Sequence, residues 1–166
     1  MEKTQTLTST VNSYLTFHLE QEEYAAHVGN VLNIIEVPAI VKVPQAPPYM
    51  KGIVNLRGQV LPVIDLKHRF GMPETVIGKN TCIVVMEVDT GSDSRGSTTI
   101  GVLVDQVDAV HEIEDSEIKS PPDIGELYKT EILNGIVERN QHFILMLDMK
   151  KIFSKGEWDA IHNKTN

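Results

Sequence analysis

The chain has 166 residues and a formal net charge of −8, with 23 Asp and Glu against 15 Lys and Arg. That balance excludes generic affinity for nucleic-acid backbones or anionic lipid, and the four Phe, four Tyr and single Trp are too scattered to interleave with a basic cluster. A chain of this size fills one domain or two intimate subdomains, buries roughly 70% of its unfolded surface and needs neither disulfide nor metal to fold.

Residues 1–12 are polar, with Thr and Ser where a secretory leader has an apolar core, and read as a flexible tail. Tyr14 to Leu19 alternates as a strand, with Leu15, Phe17 and Leu19 on one face. Glu20 to Glu23 turns the chain, and Tyr24 to Val28 predicts a second strand. Val28, Val31, Leu32 and Ile35 follow helical spacing in a β-branched segment, so a short helix or a strand with a helical start both fit. Pro38, Pro44, Pro47 and Pro48 mark an extended connection rather than a central strand, since Pro removes a backbone donor. Gly52 to Leu56 and Gln59 to Leu66 flank Arg57-Gly58, the pattern of a two-residue hairpin that holds Arg57 at its tip. An Arg on a stiff ribbon, with no catalytic companion, is a recognition element. Asp65 N-caps a helical turn that Gly71 ends. Cys82 begins an apolar strand, where a packed thiol fits a reducing compartment. A polar loop, Asp89 to Ser97, leads to a strand from Thr98 to Val104 and a partly alternating one from Asp105 to Ile113. Pro121 to Thr130 reads as a loop before a second ribbon, and residues 155–166 as a short helix and tail, packed through Trp158 and Ile161. No apolar run reaches the ~20 residues of a membrane helix. A cytoplasmic protein without membrane insertion is the expectation.

The first ribbon recurs 83 residues later. Gly135-Ile136-Val137 repeats Gly52-Ile53-Val54, Asp148 matches Asp65, Lys150 matches Lys67 and Phe153 matches Phe70. Leu61, Val63, Ile64 and Leu66 correspond to Ile144, Met146, Leu147 and Met149. Two similar β-units follow from this, although two short ribbons can also converge on similar turns. Only the first carries the Arg-Gly tip, and the second is read with Arg139-Asn140 at its turn. Many short strands with few helices predict an all-β protein of small barrels.

Enzymatic constellations are sparse. Asp89-Thr90-Gly91-Ser92 resembles the aspartic-protease signature, but that chemistry needs a second carboxylate within a few ångströms, so the chain would have to dimerise through this loop. Asp65 and Asp148 are N-caps rather than an acid/base pair. The six His residues form no metal-ligand spacing, and there is no Walker loop, dinucleotide fingerprint or nucleophile elbow. The acids from Asp105 to Glu117 lack the spacing and mid-loop Gly of a calcium loop. No metal or cofactor is expected, and no enzymatic activity.

With Asn55-Leu56-Arg57-Gly58 followed by Val60 to Leu66, Glu23-Tyr24 ahead of Val31, Lys51-Gly52, Gly101 to Val107 and Leu133-Asn134-Gly135-Ile136, the chain resembles the CheW family of chemotaxis coupling proteins. The resemblance covers roughly Ser13 to Phe153 and implies a domain over 13–154 made of two intertwined five-stranded barrels of SH3 type. It implies a non-catalytic adaptor between the cytoplasmic tip of a chemoreceptor and the regulatory domain of the CheA histidine kinase, recruited to the inner face of the membrane through receptors. An adaptor of another pathway, such as surface motility or a developmental kinase, would use the same mechanics. Matching positions put a receptor groove at Val31, Asn33, Cys82 and Val110, with Arg57 nearby, and a kinase contact around Gly52. Family members usually place an acid where this chain has Asn33, and without the resemblance Val31 and Val110 read as core.

Overall fold

The alternating and β-branched runs all become strands. The computed structural model describes residues 10–90, 96–120 and 132–165. Its strands are β1 (Val11–Leu19), β2 (Glu22–His27), β3 (Val31–Glu36), β4 (Met50–Leu56), β5 (Gln59–Asp65), β6 (Cys82–Asp89), β7 (Ser97–Val104), β8 (Gln106–Glu114), β9 (Leu133–Arg139) and β10 (His142–Leu147). A one-turn helix, α1 (Leu66–Arg69), follows β5, and α2 (Lys155–Thr165) closes the chain.

Two five-stranded sheets result, ordered β8-β1-β2-β10-β9 and β3-β6-β7-β5-β4. Each half of the chain serves both. The hairpin β1–β2 lies in the first sheet while β3, β4 and β5 build the second; β6–β7 then joins the second sheet, and β8, β9 and β10 return to the first. The exchanged parts are joined by parallel pairs, β10 on β2 and β5 on β7, and by antiparallel ones, β1 on β8 and β3 on β6; every other neighbouring pair is also antiparallel. The repeat is therefore real and its two copies exchange hairpins. Each sheet curls rather than closing by a full strand ladder. Val41 bonds Ile53 in both directions (2.9 and 2.8 Å), and Lys119 bonds Ile136 in the same way (2.9 and 2.8 Å).

Three cores fill this frame. Val54, Leu61, Val63, Ile83, Val85 and Leu103 pack inside the second sheet, and Ala25, Ile113, Val137, Ile144 and Met146 inside the first. The largest lies between the sheets, where Phe17, Leu19 and Tyr24 meet Val84, Met86, Ile100 and Val102. The alternation of β6 explains the division: Ile83 and Val85 turn into their own sheet's core, and Val84 and Met86 turn to the shared one. Trp158 and Ile161 of α2 cover the shared core as expected, and Ser154 and Glu157 cap that helix reciprocally (3.2 and 2.9 Å).

Local expectations met several outcomes. Val28–Asn30 is a single 3-10 turn capped by His27, and residues 31–36 are strand. A bulge between Val31 and Asn33 breaks the alternation there, which is why the apolar spacing imitates a helix. Val11 and Asn12, taken as tail, pair with Glu114 and Ile113. The tip of the second ribbon is Asn140-Gln141 (φ 52° and 67°), not Arg139-Asn140; Arg139 belongs to β9 and its guanidinium pairs with Glu117 at 2.9 Å. The stretches 91–95 and 121–131, read as loops, lie outside the described residues.

Gly52 and Gly135 are equivalent for one steric reason. A Cβ on Gly52 would overlap the Val41 carbonyl oxygen, and one on Gly135 would overlap Ile118 and the Lys119 carbonyl. Each glycine lets the preceding connection lie against its sheet. Gly52→Ala should therefore destabilise the fold by about 2–4 kcal/mol. Gly58→Ala, at φ +84° with nothing within 4 Å, should cost only about 1 kcal/mol. Urea unfolding of the two variants checks the contrast.

Candidate interaction site

The Arg57 hairpin is built as its sequence predicts. Arg57 and Gly58 both have positive φ (54° and 84°), the twist that suits a two-residue turn between right-handed strands. Asn55 secures the turn by accepting the Gly58 N–H at 2.9 Å. Arg57 is exposed and pairs with no other described residue.

The expected groove residues sit on two sheet-edge strands and the start of β6. Val31 opens β3 opposite Met86, and Cys82 opens β6 opposite Glu36. Both are half-buried against the shared core. Val110 of β8 lies opposite the buried Leu15 and is 60% exposed. Directly opposed strand residues share a face, so Val31, Cys82 and Val110 all stand on faces turned to the shared core. Asn33 differs. It opposes Val85, whose side chain belongs to the second sheet's own core, and its Oδ1 accepts the Ile34 N–H at 2.9 Å. Leu32 and Ile34 on the same edge strand are exposed, an apolar presence that the ambiguous spacing of this segment concealed. The Cys82 thiol lies 3.4 Å from the Asn80 carbonyl. Gly52 is buried, and the close backbone approach that explains it comes from this chain's own Val41.

Ion pairs tie the two sheets together. Lys67 of α1, 7% exposed, reaches Asp105 at the β7–β8 crossover (3.2 Å) and Glu20 in the β1–β2 turn (3.4 Å). Burial alone would lower its ammonium, but hydrogen bonds and charge from Asp105 and Glu20 outweigh that and hold it above the usual lysine range. Arg69 donates to the Ile152 carbonyl (3.0 Å) and to Glu157 (3.1 Å), and lies over the rings of Tyr49 and Phe153. Within the first sheet, His142 meets Glu23 at 2.7 Å, and that hydrogen bond raises its imidazole above the ordinary value.

Asp65 and Asp148, the acids weighed as an acid/base pair, serve structure. Asp65 is buried and accepts from the His68 N–H (3.4 Å), the Thr75 N–H (2.9 Å) and the Thr75 hydroxyl (2.7 Å), while Asp148 caps its turn through the Lys150 N–H (3.2 Å). Asp89 is the exposed last residue of β6, paired with Ser97, and Gly91 and Ser92 lie outside the described residues. Among the described residues no cluster of His, Cys, Asp and Glu is arranged to hold a metal ion, and no helix is long and apolar enough to cross a membrane.

The fold is that of an all-β domain of two five-stranded sheets whose repeated units exchange hairpins. Residues 13–157 match the model of the CheW-like domain, and the chain belongs to that family. It is 28% identical over 153 residues to the chemotaxis protein CheW of Treponema pallidum (strain Nichols), covering 90% of this chain and 86% of the relative. Protein FrzA of Myxococcus xanthus is 29% identical over 153 residues, covering 86% and 91%. The crystal structure of the scaffolding protein TtCheW from Thermoanaerobacter tengcongensis superposes with a TM-score of 0.75 at 29% identity, covering 87% of this chain and 89% of that one.

Lys67→Met leaves Glu20 and Asp105 facing each other without their cation. With both acids partly solvated, the expected loss is about 1–3 kcal/mol, read by denaturant unfolding. The His142–Glu23 pair adds a pH dependence of known sign. Because the folded-state pKa is raised, its contribution is complete below the unfolded value near 6.5 and is lost as pH rises through the folded value. Thermal unfolding between about pH 5 and 8 should show this decline, and Glu23→Gln should remove it.

Proposed function

We propose that this protein is a non-catalytic adaptor of bacterial chemotaxis, coupling chemoreceptors to the CheA histidine kinase. The observation that carries the reading is the CheW-like match across 13–157 on a frame of two sheets with exchanged hairpins. The relatives' names, chemotaxis protein CheW and scaffolding protein TtCheW, point the same way. On this reading the adaptor works in the cytoplasm and reaches the membrane only through receptors.

The receptor tip docks along Val31, Asn33, Cys82 and Val110, with Arg57 alongside. Apolar side chains on a sheet edge suit the apolar face of an amphipathic helix, and an exposed, unpaired guanidinium suits an acidic residue beside that face. Asn33 brings no charge to the contact, and its oxygen is already engaged by Ile34. The regulatory domain of the kinase docks around Gly52, on the outer surface of the connection that this glycine lets lie against β4. Cytoplasmic coupling in a pathway other than chemotaxis is the second reading, to which similarity to a relative not named for chemotaxis, protein FrzA, gives a hint.

Calorimetric titration against a CheA regulatory domain from the same genome tests the proposal. Saturable binding near one-to-one is expected, and its absence with a folded cognate domain assigns the adaptor to another pathway. For the receptor contact, Arg57→Glu should weaken binding to a receptor tip by about tenfold or more. An exposed turn residue contributes little to folding, so its unfolding free energy should stay within about 0.5 kcal/mol of the parent. Loss of the thermal transition in Arg57→Glu would make this residue structural and remove it from the site.

A further inference from the structure

The two hairpins of the repeat present unlike chemistry. At the offset of 83 residues, Val60 of β5 corresponds to Phe143 of β10, and the opposed Asn55 to Glu138. The β4–β5 end is thus aliphatic and carries a cation, whereas the β9–β10 end carries an aromatic ring beside an acid. Phe143 is 57% exposed, the largest exposed apolar side chain among the described residues.

Its face follows from the register. Leu145, two residues along β10, pairs with Tyr24 and packs on the shared core, so Phe143 stands on that same face one step beyond the cover. Glu138 is its direct partner on β9. On the other side, the parallel pairing of Ile144 with Glu23, carried back one residue, sets Glu22 next to it. Glu22 is on that face too, since it opposes the buried core residue Leu19. The negative field is visible in Tyr24, whose hydroxyl is pushed up to about 12 by burial and by the charges of Glu22 and Glu20. Glu20 is compensated by Lys67. Glu22 and Glu138 are exposed and have no partner among the described residues.

We propose that this end of the first sheet is a second docking surface, on which Phe143, Glu22 and Glu138 receive an arginine presented by a basic segment of a partner protein. A planar guanidinium stacks on an aromatic face and donates to carboxylates at the ring's edges, while its aliphatic stem covers the ring. The charge complementarity selects a cation, since an apolar or acidic occupant would strand two carboxylates. The surface is separate from the Arg57 hairpin and from the Gly52 turn, both of which belong to the second sheet.

The test is a nitrogen-15 NMR titration of the intact protein with a blocked tetrapeptide of two leucines and two arginines. Its control is the same peptide with citrulline, a neutral isostere, in place of arginine. Saturable shifts centred on the amides of residues 22, 138 and 143 are expected, with the citrulline peptide at least about tenfold weaker. Phe143→Ala and Glu138→Gln should each weaken the arginine peptide by about tenfold, with unchanged thermal transitions because both side chains are exposed. Shifts spread evenly over the acidic surface, or binding indifferent to both variants, would overturn the proposal. So would concentration-dependent shifts at the same residues without peptide, which would make a second copy of the chain the occupant.

Discussion

Four strand pairings between the two halves of the chain hold this molecule together, the parallel β10 on β2 and β5 on β7 and the antiparallel β1 on β8 and β3 on β6. Each joins strands from opposite halves of the chain, so neither sheet is complete without both halves. From that exchange the rest follows. The faces that β1, β2, β6 and β7 turn away from their own sheets' cores are pressed together, and the shared core between the sheets becomes the largest apolar cluster. The crossovers from one sheet to the other fall at the 3-10 turn after His27 and at Asp105, and Lys67 clamps the second of these to the β1–β2 turn. Apolar packing and ion pairs are thereby concentrated where the sheets meet, and the hairpin ends lie beyond them.

That arrangement suits a protein whose task is to hold other proteins at fixed relative positions. An adaptor requires separated surfaces of different chemistry on one body, and two units of like backbone and unlike surface supply them. The two ribbons share backbone geometry down to the glycine that admits the neighbouring chain, yet one tip carries Arg57 and the other Asn140 and Gln141. The identities that survive between the copies are mostly those the fold requires: Gly52 and Gly135, Asp65 and Asp148. Lys67 and Lys150 have diverged in role although not in type, since one is buried between two acids and the other is exposed.

Much of this was legible in the sequence because turns and caps are local. Arg57-Gly58 announces its hairpin, Asp65 and Asp148 their caps, and the two ribbons their likeness. The exchange of hairpins was not legible from residues alone, since β1 pairs with β8 at Leu15 and Val110, and nothing in a neighbourhood of ten residues encodes a partner so distant. The expectation of intertwined barrels came from resemblance. Segment 28–36 was ambiguous because the bulge at Leu32 shifts its apolar residues off a two-residue period. Phe143 was missed because an aromatic between His142 and Ile144 reads as one more strand residue, and only the placement of Glu22 and Glu138 beside it shows that it is uncovered. Gly52 was noticed as a position of close approach, but sequence does not say whose backbone approaches.

The exchanged hairpins also govern how the chain is made. Strand β2 has its inner edge open until β10 is synthesised, more than a hundred residues later, and β1 must wait almost as long for β8. Such pairings have high contact order and form slowly. The second sheet is drawn from one continuous stretch, 31–104, but the first cannot finish until β10 is made, so the nascent chain carries the unpaired edges and uncovered core face of the β1–β2 hairpin through most of its synthesis. Protection from aggregation in that interval rests on the polar and charged residues along the exposed strand faces. The surplus of acids, a net charge of −8, therefore also keeps unfinished copies apart from one another.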